Sequence, residues 1–170
     1  DGRSLLEASL EAVPPYFDER LLVLRPGDDA LARRWREAGW QVLIAPEAAR
    51  GMGHSLAAGI RAARHWQGAL IALADMPEIE TSDFDRLIET FAAHGGSVVV
   101  RASDGSARGN PVILPRVLTA RIDELEGDTG ARHLVEAGGV EIIDVDIGAA
   151  ARVDVDTPEA MRAAGGTLRD

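Results

Sequence analysis

The chain has 170 residues, 46% of them hydrophobic but only 4% aromatic, so one domain is expected, with a core of Leu, Ile, Val and Ala. Its formal net charge is −10 and all 18 basic residues are arginine; an acidic surface of this kind repels nucleic-acid backbone and disfavours DNA or RNA as partners. Cysteine is absent, which excludes a disulfide scaffold or thiolate metal site, and with no membrane-length apolar run or signal-peptide pattern a soluble cytoplasmic protein without a membrane partner is expected.

Ser4-Leu5-Leu6-Glu7 reads as a capping box, and Leu6, Leu10 and Val13 lie on one helical face before Pro14-Pro15 stops the helix. Arg20 to Leu24 reads as a short buried strand, Asp29 to Ala38 as a helix closed by Gly39, and Trp40 to Ala45 as the next strand. Ser55 to His65 follows as a helix. Ala69 to Ala74 is a continuous apolar run that suits the middle of a parallel sheet. Ser82 is placed to cap a helix whose Phe84, Leu87, Ile88 and Phe91 form one stripe, and Ser97 to Arg101 returns as a strand. Beyond it, Asn110 to Leu114, Glu141 to Asp146 and Arg152 to Asp156 read as strands, and Val117 to Leu125 and Ala131 to Ala137 as helices. Pro158 sits at the first position of a last helix. This alternation predicts an α/β domain with a mostly parallel sheet, whose chemistry gathers at the carboxyl ends of the strands.

The unusual segments fall at those ends. Asp75, in Leu73-Ala74-Asp75-Met76-Pro77, follows the most hydrophobic strand, where a carboxylate can hold a hard cation bridging phosphates; it can equally begin a turn before Pro77. Gly51-Met52-Gly53-His54-Ser55 leads into a helix whose amides can face an anion, or is an ordinary connection. In Gly127-Asp128-Thr129-Gly130-Ala131-Arg132, Asp128 or Thr129 can cap a helix and Arg132 falls in its first turn. A cation opposes the helix dipole there, which a bound phosphate would explain, as would a salt bridge to Asp128 or Glu136. Alternation puts Asp154 and Asp156 on one side of a strand, within reach of one site, although Asp156 or Thr157 can also serve as a helix cap. Gly109-Asn110-Pro111 opens a strand and is a weaker candidate for lining a pocket. Trp35, Trp40 and Trp66 fit packing positions, and the four histidines show no zinc spacing.

The order of these segments is more specific than any one of them. Gly-Met-Gly-x-Ser, Leu-x-Asp-Met-Pro, Gly-x-Pro, Gly-Asp-x-Gly-Ala-Arg and Asp-x-Asp-Thr-Pro-Glu together resemble the molybdenum cofactor nucleotidyltransferase family, most closely its cytidylyltransferase branch. The resemblance implies a three-layer α-β-α domain with a mixed, mainly parallel sheet of the nucleotide-diphospho-sugar transferase type. It implies Mg²⁺ on Asp75, with Asp154 or Asp156 contributing. Gly51, Met52, Gly53 and Ser55 would lie by the nucleotide, CTP in preference to GTP. Asn110, Pro111, Gly127, Asp128, Gly130 and Arg132 would face a molybdopterin-type acceptor, and a molybdoenzyme would receive the product.

Two departures stand out. Members of this family open with a strand and a glycine-rich phosphate loop, whereas Asp1-Gly2-Arg3-Ser4-Leu5-Leu6 matches the segment after that loop. A single domain over residues 1–170, N-terminally incomplete, is therefore expected, with two exposed sheet edges where the strand would lie and without full activity. Ala45 stands before Pro46 where relatives often carry asparagine. Transfer to a sugar phosphate, and a non-catalytic cofactor-binding or maturation factor, are the alternative functions.

Overall fold

A computed structural model describes residues 4–17, 19–63, 65–122, 135–136 and 138–155. The chain divides into two compact units, one formed by residues 1–15, 70–113 and 142–170 and the other by residues 16–69 and 114–141. The described strands form a four-stranded sheet in the order β3-β5-β4-β6 and a two-stranded sheet of β1 and β2. These strands are β1 Leu21–Leu24, β2 Gln41–Ile44, β3 Gly68–Ile71, β4 Val99–Ser103, β5 Arg108–Pro115 and β6 Ile142–Asp146. Pairing is parallel for β1 with β2 and for β4 with β6, and antiparallel for β4 with β5. The mixed, mainly parallel α/β architecture read from the sequence is present.

In the first unit, helix α1 (Leu5–Ala12) starts at the capping box foreseen: the Ser4 hydroxyl accepts from the Glu7 amide at 3.2 Å, and Glu7 Oε2 accepts from the Ser4 amide at 2.6 Å. Helix α4 (Thr81–Ala93) buries Phe84 and Leu87 completely, each contributing about 2 kcal/mol by burial. They join Met76, Ile79, Val98, Val100, Ala102, Ile113, Ile147 and Ala151 in one apolar cluster. Across β4 and β6, the register partners Arg101 and Asp144 form a two-pronged ion pair at 2.8 and 3.1 Å.

In the second unit, helix α2 (Asp29–Glu37) buries Ala32 and Trp35. Trp35 meets Trp40 edge-on, with ring centroids 5.8 Å apart, and the Arg20 guanidinium lies 5.1 Å from the Trp40 ring centre. Helix α3 (Met52–Ala62) packs on β1 through Gly59, where an added Cβ would come within 3.0 Å of Val23 Cγ2. A short helix, α5 (Arg116–Thr119), buries Leu118 and Thr119.

Several boundaries differ from expectation. Helix α3 begins at Met52, three residues before Ser55, because Gly51 takes φ +130° and turns the chain straight into the helix. Glu80, not Ser82, occupies the cap position of α4, and its amide donates to the Asp83 carboxylate at 3.0 Å. Strand β3 stands at the end of its sheet and not in the middle; an apolar run reports burial of side chains, not the number of neighbours its backbone bonds. Of the expected strand Arg152 to Asp156, the described residues Arg152 to Val155 form no ladder strand. Gly148 at φ +77° redirects the chain into a 3₁₀ turn, Ala149–Arg152, favoured by its three alanines. Among the described residues beyond that turn, Val155 joins the Asp75 backbone by one hydrogen bond. The expected helix Val117 to Leu125 is described only as α5, and Ala131 to Ala137 lies almost wholly outside the described residues.

Candidate active site

Asp75 sits in the turn that follows β3, in the first unit. The turn is tied down from three sides. Met76, 3% exposed, plugs into the apolar cluster. The Ser9 hydroxyl donates to the Ala74 carbonyl at 3.1 Å, and the Val155 amide donates to the Asp75 carbonyl at 2.8 Å. That last bond holds the backbone of Val155, the residue after Asp154, against the backbone of Asp75 within one unit.

The Asp75 carboxylate is less well served than its backbone. Its Oδ1 is buried and accepts no hydrogen bond. Buried polar atoms are nearly always paired, and an unpaired carboxylate oxygen is costly unless an ion or solvent completes it. An oxygen-only donor of this kind fits a hard cation such as Mg²⁺, which takes one or two carboxylates and fills its remaining positions with phosphate oxygens and water. The described residues contain no cluster of three or more His, Cys, Asp or Glu able to hold a metal unaided. One or two acids sharing a cation with substrate phosphates do not require one.

Asn110 and Pro111 belong to the same unit, on β5. Pro111 is fully buried and lines a small pocket beside the Asp75 turn with Ser9, Ala72, Leu73, Met76 and others, while Asn110 is half-buried. Gly109 has a structural reason of its own: an added Cβ would stand 2.0 Å from the Ala151 carbonyl oxygen, so only glycine lets β5 approach the 3₁₀ turn. Gly51, Met52, Gly53 and Ser55 lie in the second unit at the start of α3. Gly51 holds the cap position without a side-chain hydrogen bond, Met52 is 64% exposed, and Gly53 is buried. His54 Nδ1 lies 3.6 Å from Glu47 and is placed to pair with that acid if protonated. Gly127, Asp128, Gly130, Arg132 and Asp156 lie outside the described residues.

Two features escaped the sequence reading. Ser9 carried a signal, a polar residue on the apolar stripe of Leu6, Leu10 and Val13, but no hint of what it would meet. Asp104 carried none. Its Oδ1 accepts from the Ala107 amide at 2.7 Å, the Ser106 hydroxyl at 2.8 Å and the Ser106 amide at 2.9 Å, and Oδ2 pairs with Arg152 at 3.2 Å. These bonds, led by the Ala107 amide and the Ser106 hydroxyl, hold the Asp104 carboxyl far below the ordinary carboxylate range.

A mainly parallel α/β scaffold of this kind binds its ligands beyond the carboxyl ends of its strands, and the incompletely bonded Asp75 carboxylate lies in the turn after one of them. Residues 1–142 match the model of the MobA-like NTP transferase domain, and the chain belongs to that family. It is 29% identical over 130 residues to the purine catabolism protein PucB of Bacillus subtilis, covering 71% of this chain but only 58% of PucB. It is 27% identical over 168 residues to nicotine blue oxidoreductase of Paenarthrobacter nicotinovorans, covering 94% of this chain and 82% of that protein. Among solved structures, Rv0371c of Mycobacterium tuberculosis superposes with a TM-score of 0.79 at 21% identity, over 99% of this chain and 87% of that one. The manganese complex of Rv0371c gives 0.73, also at 21% identity, over 94% and 84% of the two chains. At these identities the structural likeness shows the shared fold.

Proposed function

We propose that the protein transfers a nucleoside monophosphate, CMP, from a nucleoside triphosphate to the terminal phosphate of a molybdopterin-type acceptor in the cytoplasm, with Mg²⁺ as cofactor and a molybdoenzyme as recipient of the product. The observation that carries this reading is the buried, unpaired Asp75 Oδ1 in the turn after β3. Family membership supports nucleotidyl transfer. The order of motifs supports the acceptor and the base, and the manganese complex of Rv0371c supports a divalent cation.

An acceptor phosphate oxygen attacks the α-phosphorus, the bond from that phosphorus to the β-phosphate bridging oxygen breaks, and pyrophosphate leaves. The attacking oxygen is already anionic near neutral pH, so the protein's task is to position two phosphate groups in line. Asp75 would hold the cation, with Asp154 or Asp156 contributing; when bound, the cation neutralises the charge of the triphosphate. Gly51, Met52, Gly53 and Ser55 would contact the nucleotide. Asn110 and Pro111 would border the acceptor, with Gly127, Asp128, Gly130 and Arg132.

The test is pyrophosphate release and product mass from molybdopterin, Mg²⁺ and either CTP or GTP. CTP is expected to give the dinucleotide, chelation to stop it, and Asp75→Asn to lower the rate on the order of 100-fold with an unchanged melting temperature. Activity of Asp75→Asn within twofold of wild type would remove Asp75 from the mechanism. Transfer to a sugar phosphate but not to molybdopterin would change the acceptor. Redox turnover without pyrophosphate release would instead favour the activity named for the Paenarthrobacter relative.

A further inference from the structure

We infer that Ser9 is a positioning residue for the Asp75 carboxylate, acting through the backbone of the turn that carries it. This rests on the reading of Asp75 as a cation ligand. Ser9 is the one buried residue of α1, at 7% exposure, and it shares the apolar stripe of Leu6, Leu10 and Val13. A serine inside a helix ordinarily points to solvent or bonds back to the carbonyl one turn earlier. Ser9 Oγ instead reaches out of its helix to the Ala74 carbonyl at 3.1 Å.

The choice of acceptor matters. The Ala74 carbonyl belongs to the peptide plane on the amino side of Asp75 Cα, and the Asp75 carbonyl, held by Val155 at 2.8 Å, belongs to the plane on its carboxyl side. Peptide units are rigid, so holding both planes fixes the two backbone torsions of Asp75 and with them the direction of its Cα–Cβ bond. The base of the side chain is then placed by the backbone, with only χ1 and χ2 left to the carboxylate, and Oδ1 is not spent on the protein. In many metal sites the ligand side chain is oriented by hydrogen bonds to its own free atoms. Here that duty falls to the flanking peptides, with Ser9 supplying the side-chain half of it.

The experiment is Mn²⁺ binding by electron paramagnetic resonance in the presence of a non-hydrolysable CTP analogue. It uses wild type, Ser9→Ala, Ser9→Cys and Asp75→Asn, with thermal melting alongside. The Mn²⁺ dissociation constant is expected to rise about 10-fold in both Ser9 variants, while analogue affinity without metal stays at the wild-type value. Cysteine fills the space of serine but donates weakly, so it separates hydrogen bonding from packing. Ser9→Ala within twofold of wild type, with Asp75→Asn unable to bind, would overturn the inference. So would a weakened Ser9→Ala beside a normal Ser9→Cys, which would make Ser9 a packing residue. Wild-type binding by Asp75→Asn would be a different failure: the ligand reading itself would fall, and the role of Ser9 with it.

Discussion

The unit that carries Asp75 and the unit that starts α3 draw on the same small aliphatic side chains, yet they are held together differently. In the first, β4 is bonded on both sides, Val99, Val100 and Ala102 are fully buried, and main chain meets main chain directly: Gly109 against Ala151, Val155 against Asp75. In the second, β1 and β2 pair with each other among the described strands, and side-chain contacts stand beside that ladder: Trp35 on Trp40, Arg20 over Trp40, Val23 under Gly59. Side chains have alternative rotamers; peptide groups in a ladder do not. The close backbone approaches at Gly109 and Asp75 in the first unit therefore leave less room for adjustment than the side-chain contact at Gly59 in the second.

The same substitution in each unit tests this contrast most severely. Gly109→Ala would place a methyl 2.0 Å from a backbone oxygen, so strand and turn must separate, and a loss of about 3 kcal/mol is expected in urea unfolding. Gly59→Ala meets two side-chain atoms, Val23 Cγ2 at 3.0 Å and Leu21 Cδ2 at 4.0 Å, and gains up to about 1 kcal/mol of helix propensity. Its net effect is expected to stay within about 1 kcal/mol of zero. Equal losses at the two sites would show that the second unit is no more adjustable than the first. A mild Gly109→Ala would show that the 3₁₀ turn gives way, and the contrast would be lost.

The sequence reading fared best where a pattern is local. The Ser4–Glu7 capping box and the Phe84–Leu87 stripe each lie within one helical stretch, and both formed as read. Asp75 was legible as an acid at a strand end because the apolar run before it is unmistakable. What makes the site specific was not legible, since the bonds holding its turn come from Ser9 and Val155, remote in sequence on opposite sides. Gly109 was read as lining a pocket; its contact with Ala151 depends on where a later turn falls. The strand expected from Arg152 overlaps that turn only at Arg152, its last residue. Alternating residues from Arg152 to Asp156 show a period of two, but a strand also needs a partner, and the alanines before it bend the chain away first.

The smallest expected effect concerns Asp104, whose side chain ties the β4–β5 turn to Arg152. Its carboxyl is depressed in the folded protein, so the unfolded chain binds more protons as the pH falls below about 4. The stabilisation is present in full above that pH and drains away as acid is added toward the folded value. Asp104→Asn keeps an oxygen for the Ala107 and Ser106 amides but has no charge to lose. The variant is expected to be modestly less stable than wild type at neutral pH and to converge with it in acid, giving a shallower dependence of unfolding free energy on pH between about pH 4 and pH 2. The main-chain bonds of the turn are the largest contribution to the shift, so the charge and the turn are one device: the carboxylate organises the backbone that holds it ionised. Curves that stay parallel down to pH 2 would show that the turn keeps its shape without the charge, and the first unit's dependence on main-chain contacts would then extend to its loops.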